Sequence, residues 1–199
     1  MPFRRVASVL VVAALAGCGG GGDDESTGGT ESTTPDTGLP ATTTIDVGDA
    51  PAGVAVGAGA VWVADQATGT VSRVDPQSAT VVTAIAVPGM PLGIAIGEGA
   101  VWVTSYDERG SVTRIDPETN MVVTSVPAGA GIRAIAVGED AVWVTNPQEG
   151  TLLRIDPETV RITATIPVAG GVAAVALGPG AVWITNPVAA TLTRLATNR

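Results

Sequence analysis

The sequence predicts an all-β fold made of four similar units, and three observations lead to this prediction. Tryptophan recurs about every 40 residues, at Trp62, Trp102, Trp143 and Trp183. Each tryptophan stands in a close copy of one phrase: GAVWVAD, GAVWVTS, DAVWVTN or GAVWITN. An arginine follows each tryptophan at a fixed interval, which is one position longer in the second copy than in the other three. Such a regular period is typical of repeat proteins whose units bury their faces against one another.

The second copy indicates how one unit is built. It contains four short runs rich in Val, Ile and Thr, separated by segments with Gly or Pro: LGIAIG, AVWVTS, SVTRIDP and NMVVTSV. Such runs predict four antiparallel strands, here called a, b, c and d in chain order. Four-stranded units of about 40 residues that are arranged radially are the blades of a β-propeller. The sequence therefore predicts a β-propeller of four four-stranded blades.

The repeated aromatic and charged residues are expected to have structural roles. Each tryptophan points to the opposite side of strand b from its two aliphatic neighbours, so we predict that it packs between adjacent blades. An aromatic binding platform is the alternative. Asp75, Asp116 and Asp156 each precede a proline, which predicts turn formers rather than metal ligands. The strand-c arginines are predicted to pair with carboxylates between blades: Arg73, Arg114, Arg154 and Arg194.

The two ends of the repeated region predict ring closure. The last copy reads TLTRLATNR and lacks the Asp-Pro of the c–d turn. Residues 41–48 match a strand d, because Ile45 precedes the next tryptophan by the same interval as its counterparts in the other copies: Ile85, Val126 and Ile166. We therefore expect this N-terminal strand to complete the last blade and remove an exposed edge. A half-ring that pairs with a second copy (an eight-bladed homodimer) and a part of a larger ring are the alternatives.

The N-terminus predicts an export signal. Arg4 and Arg5 precede an apolar run over residues 6–15, which is shorter than the roughly 20 residues of a spanning helix. The run leads to Leu-Ala-Gly-Cys, which resembles the lipobox of bacterial lipoproteins. That resemblance implies a signal peptide over residues 1–17 and acylation of Cys18, the only cysteine. An ordinary signal, or a short anchor with an incidental cysteine, is the alternative.

The region after Cys18 predicts a tether outside the cytoplasm. Residues 18–40 are rich in Gly, Ser, Thr and acids and contain no base. Such a segment buries too little apolar surface to offset the entropy of ordering. We therefore divide the chain into a signal (1–17), a flexible acidic tether (18–40) and a propeller (41–199). The predicted location is the extracytoplasmic face of the cell membrane, held by lipid on Cys18.

Composition excludes several classes of function. The formal net charge is -9 and all ten basic residues are arginine, so no basic stripe is available for nucleic acid. The chain has no histidine, which removes the commonest general base near neutral pH and the commonest metal ligand. No nucleophile motif, phosphate loop or metal-spaced cluster is present in the sequence. We therefore predict no cofactor, no metal and no catalytic residue.

The repeated phrase, PxGIAxGxGAVWVTN followed by GxVxRIDPxT and VxxTI, resembles bacterial propeller repeats of the YVTN type and the related streptogramin (virginiamycin B) lyase group. The resemblance covers residues 41–199 and implies the propeller fold. Members of this broad group include extracytoplasmic binding proteins, sensor domains and one type of lyase, so the resemblance implies one of these roles. The lyases are seven-bladed and use a catalytic histidine with magnesium and acidic partners. This chain has no histidine and about half as many blades, so no catalytic role transfers to its residues.

Departures from the repeat mark the candidate binding face. The extra residue of the second copy falls in its b–c loop, TSYDERG, which holds the only tyrosine. Arg133, in a d–a loop, stands where the other copies have Ala52, Leu92 and Ala173. These loops share one end of a propeller, so we predict a ligand patch there: Asp65, Gln66, Ser105, Tyr106, Asp107, Arg109, Arg133, Asn146 and Asn186. A solvated loop, with Arg133 paired to Glu139 or Asp140, is the alternative.

The sequence thus favours a surface-anchored binding or scaffold module for an unidentified protein, glycan or small molecule. The rival hypothesis is an envelope lyase or hydrolase that uses carboxylates and a divalent ion. The absence of histidine favours the module. A purely structural envelope protein is the third alternative.

Overall fold

The computed structural model describes residues 42–197, which form 15 β-strands and no helix. The chain divides into two units, Met1–Thr44 and Ile45–Arg199. Of the first unit only residues 42–44 are described, and they are exposed and form no strand. The described part of the chain contains no helix able to cross a membrane. The predicted signal peptide, Cys18 and most of the tether region lie outside the described residues.

The strands form four antiparallel sheets, and consecutive strands pair within each sheet. Sheet 1 contains β1 (Pro51–Gly57), β2 (Ala60–Asp65), β3 (Thr70–Asp75) and β4 (Thr80–Ala86). Sheet 2 contains β5 (Met90–Gly97), β6 (Ala100–Tyr106), β7 (Ser111–Asp116) and β8 (Met121–Pro127). Sheet 3 contains β9 (Ile135–Gly138), β10 (Ala141–Asn146), β11 (Thr151–Ile155) and β12 (Ile162–Pro167). Sheet 4 contains β13 (Val175–Gly178), β14 (Ala181–Asn186) and β15 (Thr191–Ala196). The all-β prediction, with one sheet for each repeat, is confirmed.

The first hairpin of sheets 1 to 3 turns on two residues with positive φ. In sheet 2 these are Glu98 (φ 49°) and Gly99 (φ 69°), and in sheet 3 Glu139 (φ 55°) and Asp140 (φ 56°). Two consecutive positive φ values are the signature of the type I′ turn, whose twist matches that of the flanking strands. The turn holds the tryptophan strand in register with the first strand of its sheet.

The turn between the third and fourth strands confirms the role predicted for its aspartate. The Asp75 carboxylate accepts the N–H groups of Gln77 and Ser78, both at 2.8 Å. The same arrangement recurs at Asp116 and Asp156. The backbone carbonyl of Asp75 also accepts the N–H of Ala79, four residues further on. Each aspartate therefore satisfies the backbone of its own turn.

Adjacent sheets bury the tryptophan side of one sheet against the opposite side of the next. Trp62 shares a buried cluster with Val101 and Val103 of sheet 2, the two neighbours of Trp102. Trp102 shares a second cluster with Val142 and Val144, and the third contains Trp143, Val182 and Ile184. The predicted packing of tryptophan between sheets is confirmed at these three interfaces. Their cores consist mainly of Val, Ile, Leu and Ala around one indole.

The arginine of each third strand lies over the tryptophan of its own sheet. The Arg73 guanidinium carbon is 5.7 Å from the Trp62 ring centroid. The other three pairs have distances of 5.8, 5.9 and 5.8 Å. The residues of each pair are directly opposite each other on neighbouring strands. Arg73, Arg114 and Arg154 also lower the pKa of Asp75, Asp116 and Asp156 of their own sheets through their charge. The partners that the structure gives these arginines thus include the indole across the strand, and their pairing with carboxylates between blades stays a prediction.

The predicted strand over residues 41–48 is not formed within the described residues 42–48. Sheet 4 has three strands, and β15 is its edge. Residues 45–48 lie instead against sheet 1, where the Ser72 hydroxyl donates to the Val47 carbonyl at 3.2 Å. Ile45 and Val47 are half-buried, whereas Asp46 and Gly48 are exposed. The segment therefore has the alternation of a strand but is held by sheet 1, without a backbone ladder to β15.

Candidate functional site

An Asp or Asn closes the loop between the second and third strands of every sheet. The Asp65 carboxylate accepts the N–H of Thr68 at 2.9 Å and the N–H of Ala50 at 3.0 Å. The Asp107 carboxylate accepts the N–H groups of Arg109 and Gly110, both at 2.7 Å. These carboxylates fix the shape of the loop end, because each binds backbone donors of its own or the adjoining segment.

The two asparagines of the predicted patch act in the same way. Asn146 is fully buried, and its side-chain oxygen accepts the N–H of Glu149 at 3.1 Å. With its amide oriented to suit its neighbours, Asn186 donates to the Gly171 carbonyl at 2.8 Å and accepts the Thr193 hydroxyl at 2.6 Å. Like Asp65, both asparagines are buried. Their side chains therefore support the loops from inside.

The pKa of Asp65 is lowered from 3.8, chiefly because the N–H of Thr68 donates to its carboxylate. Backbone donors also lower the pKa of Asp75, Asp116 and Asp156. Hydrogen bonds to the ionised form favour it and so depress the pKa. These aspartates are thus held ionised as hydrogen-bond acceptors, which suits turn formation rather than general-base chemistry.

The exposed part of the predicted patch is smaller than the sequence indicated. Tyr106 has 47% of its surface exposed, and Arg109 and Arg133 are also exposed. Gln66 is half-buried and Ser105 is buried. The extra residue of the second repeat lies in the tryptophan strand, not in the b–c loop as predicted: β6 has seven residues, whereas β2, β10 and β14 have six, and all four b–c loops have four. The loop-closing Asp107 is the fifth residue after its tryptophan, whereas Asp65, Asn146 and Asn186 are the third. As a result Tyr106 ends β6, across from Met90.

Arg133 precedes β9, and its backbone is held from both sides. Its N–H donates to the Thr145 carbonyl at 2.9 Å, and its carbonyl accepts the Thr104 hydroxyl of sheet 2 at 2.6 Å. The backbone therefore joins sheet 2 to sheet 3 while the guanidinium remains exposed. The structure gives no hydrogen bond or ring contact that brings Arg133 to Tyr106.

An open groove of about 470 Å³ runs beside residues 107–110, the loop between β6 and β7. Its lining includes Pro88, Asp107, Glu108, Arg109, Ser111 and Pro127. Ser111 is only 8% exposed, and its hydroxyl has no hydrogen-bond partner among the described residues. A buried polar group without a partner is uncommon in native proteins. The groove therefore combines apolar lining residues with both signs of charge, and a buried hydroxyl without a partner lies at its wall.

Sequence reasoning found the groove's loop but missed Ser111. The only sequence feature that distinguishes Ser111 is a conservative change, since the other copies have threonine at this position: Thr70, Thr151 and Thr191. The loop itself was predicted from the longer interval between Trp102 and Arg114. Among residues 42–197 no three His, Cys, Asp or Glu side chains are arranged to hold a metal ion.

Comparison with known proteins shows the fold alone. No family model matches the chain, and no curated protein matches it. Similar solved structures include hydrazine synthase from Kuenenia stuttgartiensis, with a TM-score of 0.61 and 15% identity over 85% of this chain. The chain spans about half of that protein, 53% of its length. A protein of unknown function from Desulfotomaculum acetoxidans gives a TM-score of 0.66 and 14% identity, covering 75% of this chain and 52% of the other. The computationally designed Ika4 protein gives 0.67 and 14%, covering 80% of this chain and all of Ika4.

Proposed function

We propose that the chain is a membrane-anchored, extracytoplasmic binding module of the β-propeller type, with its ligand site at the loop between β6 and β7 of sheet 2. The four sheets are the propeller's blades in this proposal. The face-to-face packing through Trp62, Trp102 and Trp143 supports that assignment. The Leu-Ala-Gly-Cys quartet ending at Cys18 supports the lipid anchor. Each copy of the protein would present its loop end to partners at the cell surface or in the periplasm.

The observation that carries the binding function is the groove lined by Glu108, Arg109 and Ser111, whose buried hydroxyl has no partner among the described residues. If the groove opens slightly at Ser111, a ligand group that bonds to this hydroxyl satisfies a group that is already desolvated, and only the ligand's own group loses water. Glu108 and Arg109 are exposed on the same loop and supply charges of both signs. The ligand is thus a polar surface, from a protein, a glycan or a small molecule.

The neighbouring Tyr106 enlarges the contact area. An exposed tyrosine combines an apolar ring with a hydroxyl and has few rotatable bonds, which makes it common in binding surfaces. Asp107 holds the loop in one conformation through its two short hydrogen bonds. Binding would therefore cost little loop ordering. Hydrogen bonds of this kind disfavour a carboxylate enzyme, because backbone donors occupy both oxygens of Asp65 and one oxygen of Asp107.

Retention of the full chain on immobilised bacterial envelope fractions, protein and glycan separately, tests the proposal. We expect Ser111→Ala and Tyr106→Ala to lower the affinity for the retaining fraction by about tenfold or more, equivalent to about 1.4 kcal/mol. Gln77→Ala is the matched control, because Gln77 is exposed on a different turn and bonds to Asp75 through its backbone. Equal retention of all four proteins, or no retention of the wild type, would refute the site.

A further inference from the structure

The tryptophan side of sheet 4 is open, unlike its counterparts in the other three sheets. Trp183 is 37% exposed, whereas Trp62, Trp102 and Trp143 are buried. Leu192 is 59% exposed, whereas Val71, Val112 and Leu152 at the same position of their sheets are fully buried. The side chains that form an inter-sheet core elsewhere are therefore uncovered on sheet 4.

The complementary surface is open on sheet 1. Val54 is 58% exposed, whereas Ile94 and Ile135 occupy the same place in sheets 2 and 3 and are buried. Val56, two residues further along β1 on the same side, is also exposed. In sheets 2 and 3 this side packs against the tryptophan side of the preceding sheet. Within residues 42–197, sheet 1 and sheet 4 thus each expose one of the two surfaces that form the interface between the other sheets.

A threonine hydroxyl donates a hydrogen bond from one sheet to the next at two interfaces, and the equivalent hydroxyl of sheet 4 lacks its acceptor among the described residues. The Thr104 hydroxyl accepts the N–H of Gly93 and donates across the interface to the Arg133 carbonyl. Thr145 likewise accepts from Ala134 and donates to the Ala173 carbonyl of sheet 4 at 3.0 Å.

In sheet 4 the corresponding hydroxyl is Thr185, which accepts the N–H of Ala174 at 3.0 Å. No carbonyl within residues 42–197 accepts from it. The equivalent acceptor by repeat position is the carbonyl of Ala52, on the open side of sheet 1.

We propose that a second copy of this chain covers both open faces. Sheet 4 of one copy packs against sheet 1 of its partner, and the partner's sheet 4 packs in return against the first copy's sheet 1. Trp183 and Leu192 then bury Val54 and Val56, and Thr185 donates to Ala52. Each copy offers one face of each kind, so two copies leave neither face open. This inference is separate from the proposed ligand site, which lies on sheet 2.

Residues 45–48 supply the fourth strand of the partner's sheet 4. They already lie against sheet 1, on the side of Ser72, where the fourth strand of a preceding sheet belongs. In sheets 1 to 3 the third and fourth strands pair Val71 with Ile85, Val112 with Val126 and Leu152 with Ile166. The same register pairs Leu192 of one copy with Ile45 of the other. Addition of this strand converts the edge of β15 into a paired strand.

Cysteine pairing between copies tests the register directly. Two differently tagged full chains, both carrying Cys18→Ala, are co-expressed: one has Leu192→Cys and the other Ile45→Cys. Opposed residues of antiparallel strands have Cα atoms roughly 4.5–5.5 Å apart, within the range of a disulfide. We expect a covalent species that carries both tags after mild oxidation. Thr193→Cys in place of Leu192→Cys is the matched control, since its side chain points to the other side of the sheet and should not crosslink.

A double-cysteine chain identifies the source of the strand. If Leu192→Cys and Ile45→Cys crosslink within one chain but not between two singly substituted chains, the fourth strand comes from the same chain and the proposal is overturned. Absence of both crosslinks overturns it as well.

Mass in solution tests the faces without introduced thiols. The wild-type full chain in density-matched detergent should sediment as two copies, and Leu192→Asp or Val54→Asp should weaken that association at least tenfold. Both side chains are largely exposed in a single copy, so the substitutions leave its core intact. Met121→Asp is the control, because Met121 is 65% exposed on β8, away from both faces. A wild-type mass of one copy, or of more than two, would overturn the two-copy arrangement.

Discussion

At the scale of single residues, the chain reuses a few side chains for the same tasks in every repeat. An arginine covers an indole, an Asp or Asn closes a loop end, and an aspartate before proline forms a turn. Each task needs a specific atom at a specific distance, so the residue type is constrained even where the side chain is exposed. The repetition therefore reflects local chemistry, and departures such as Tyr106 and Ser111 are where binding is proposed.

Asp65→Asn should leave the protein stable at pH 7 but reduce its sensitivity to acid. The lowered pKa of Asp65 means that its stabilising contribution is present above the unfolded value of 3.8 and is lost as pH falls through the folded pKa. Asparagine keeps one acceptor oxygen for the N–H of Thr68, as Asn146 does for Glu149, and does not titrate, although it loses the acceptor for the N–H of Ala50. Denaturant unfolding at pH 7 and pH 3 should show a smaller fall in the free energy of unfolding for the variant. An equal fall in both proteins would show that Asp65 contributes nothing to acid sensitivity.

At the scale of strands and sheets, periodicity predicted more than composition did. The recurrence of tryptophan about every 40 residues predicted the number of sheets, because each repeat forms one sheet. The longer second interval predicted an irregularity in sheet 2, but the extra residue lies in β6 and not in the loop that follows it. The fourth strand of sheet 4 was not predicted correctly: residues 45–48 carry the right pattern, but pattern does not specify which neighbour supplies the backbone ladder. Ser111 was missed because a partnerless hydroxyl is a property of packing, which spacing does not report.

Gly93→Ala should destabilise the protein more than Gly99→Asp. A Cβ on Gly93 would lie 2.6 Å from the Arg133 carbonyl oxygen and 2.7 Å from the Thr104 hydroxyl, so it would push sheet 2 away from sheet 3. Overpacking of this kind costs about 1–3 kcal/mol. Gly99 faces open space, and Asp140 adopts the same backbone conformation in sheet 3, so Gly99→Asp should cost less than about 1 kcal/mol. The free energy of unfolding in denaturant measures both, and an equal loss would contradict the close approach at Gly93.

At the scale of the whole molecule, charge and the proposed lipid anchor bear on where the protein would act. We expect a net charge of -9 without lysine to repel nucleic acid and anionic surfaces. A lipid anchor on Cys18 would counter that repulsion by attaching the N-terminus to the membrane. A single acyl chain binds membranes only marginally, whereas two or more give stable attachment.

Metabolic labelling with palmitate tests this anchor. We expect the wild-type chain to carry the label in the membrane fraction and Cys18→Ala to lose it, because Cys18 is the only thiol in the sequence. Gly19→Ala, next to the predicted acylation site, is the control and should keep the label. An unlabelled wild type would refute the lipoprotein prediction, while equal labelling of Cys18→Ala would place the lipid elsewhere.

The open face of sheet 4 has a spectroscopic consequence. Three of the four indoles are buried, and Trp183 alone among them is substantially exposed to water. In a single copy its emission should lie to the red of the others and a neutral quencher such as acrylamide should reach it first, whereas in the proposed pair of copies Trp183 should be as shielded as the other three. Intrinsic fluorescence therefore reports on the single position where the packing of the repeats changes, with no label added.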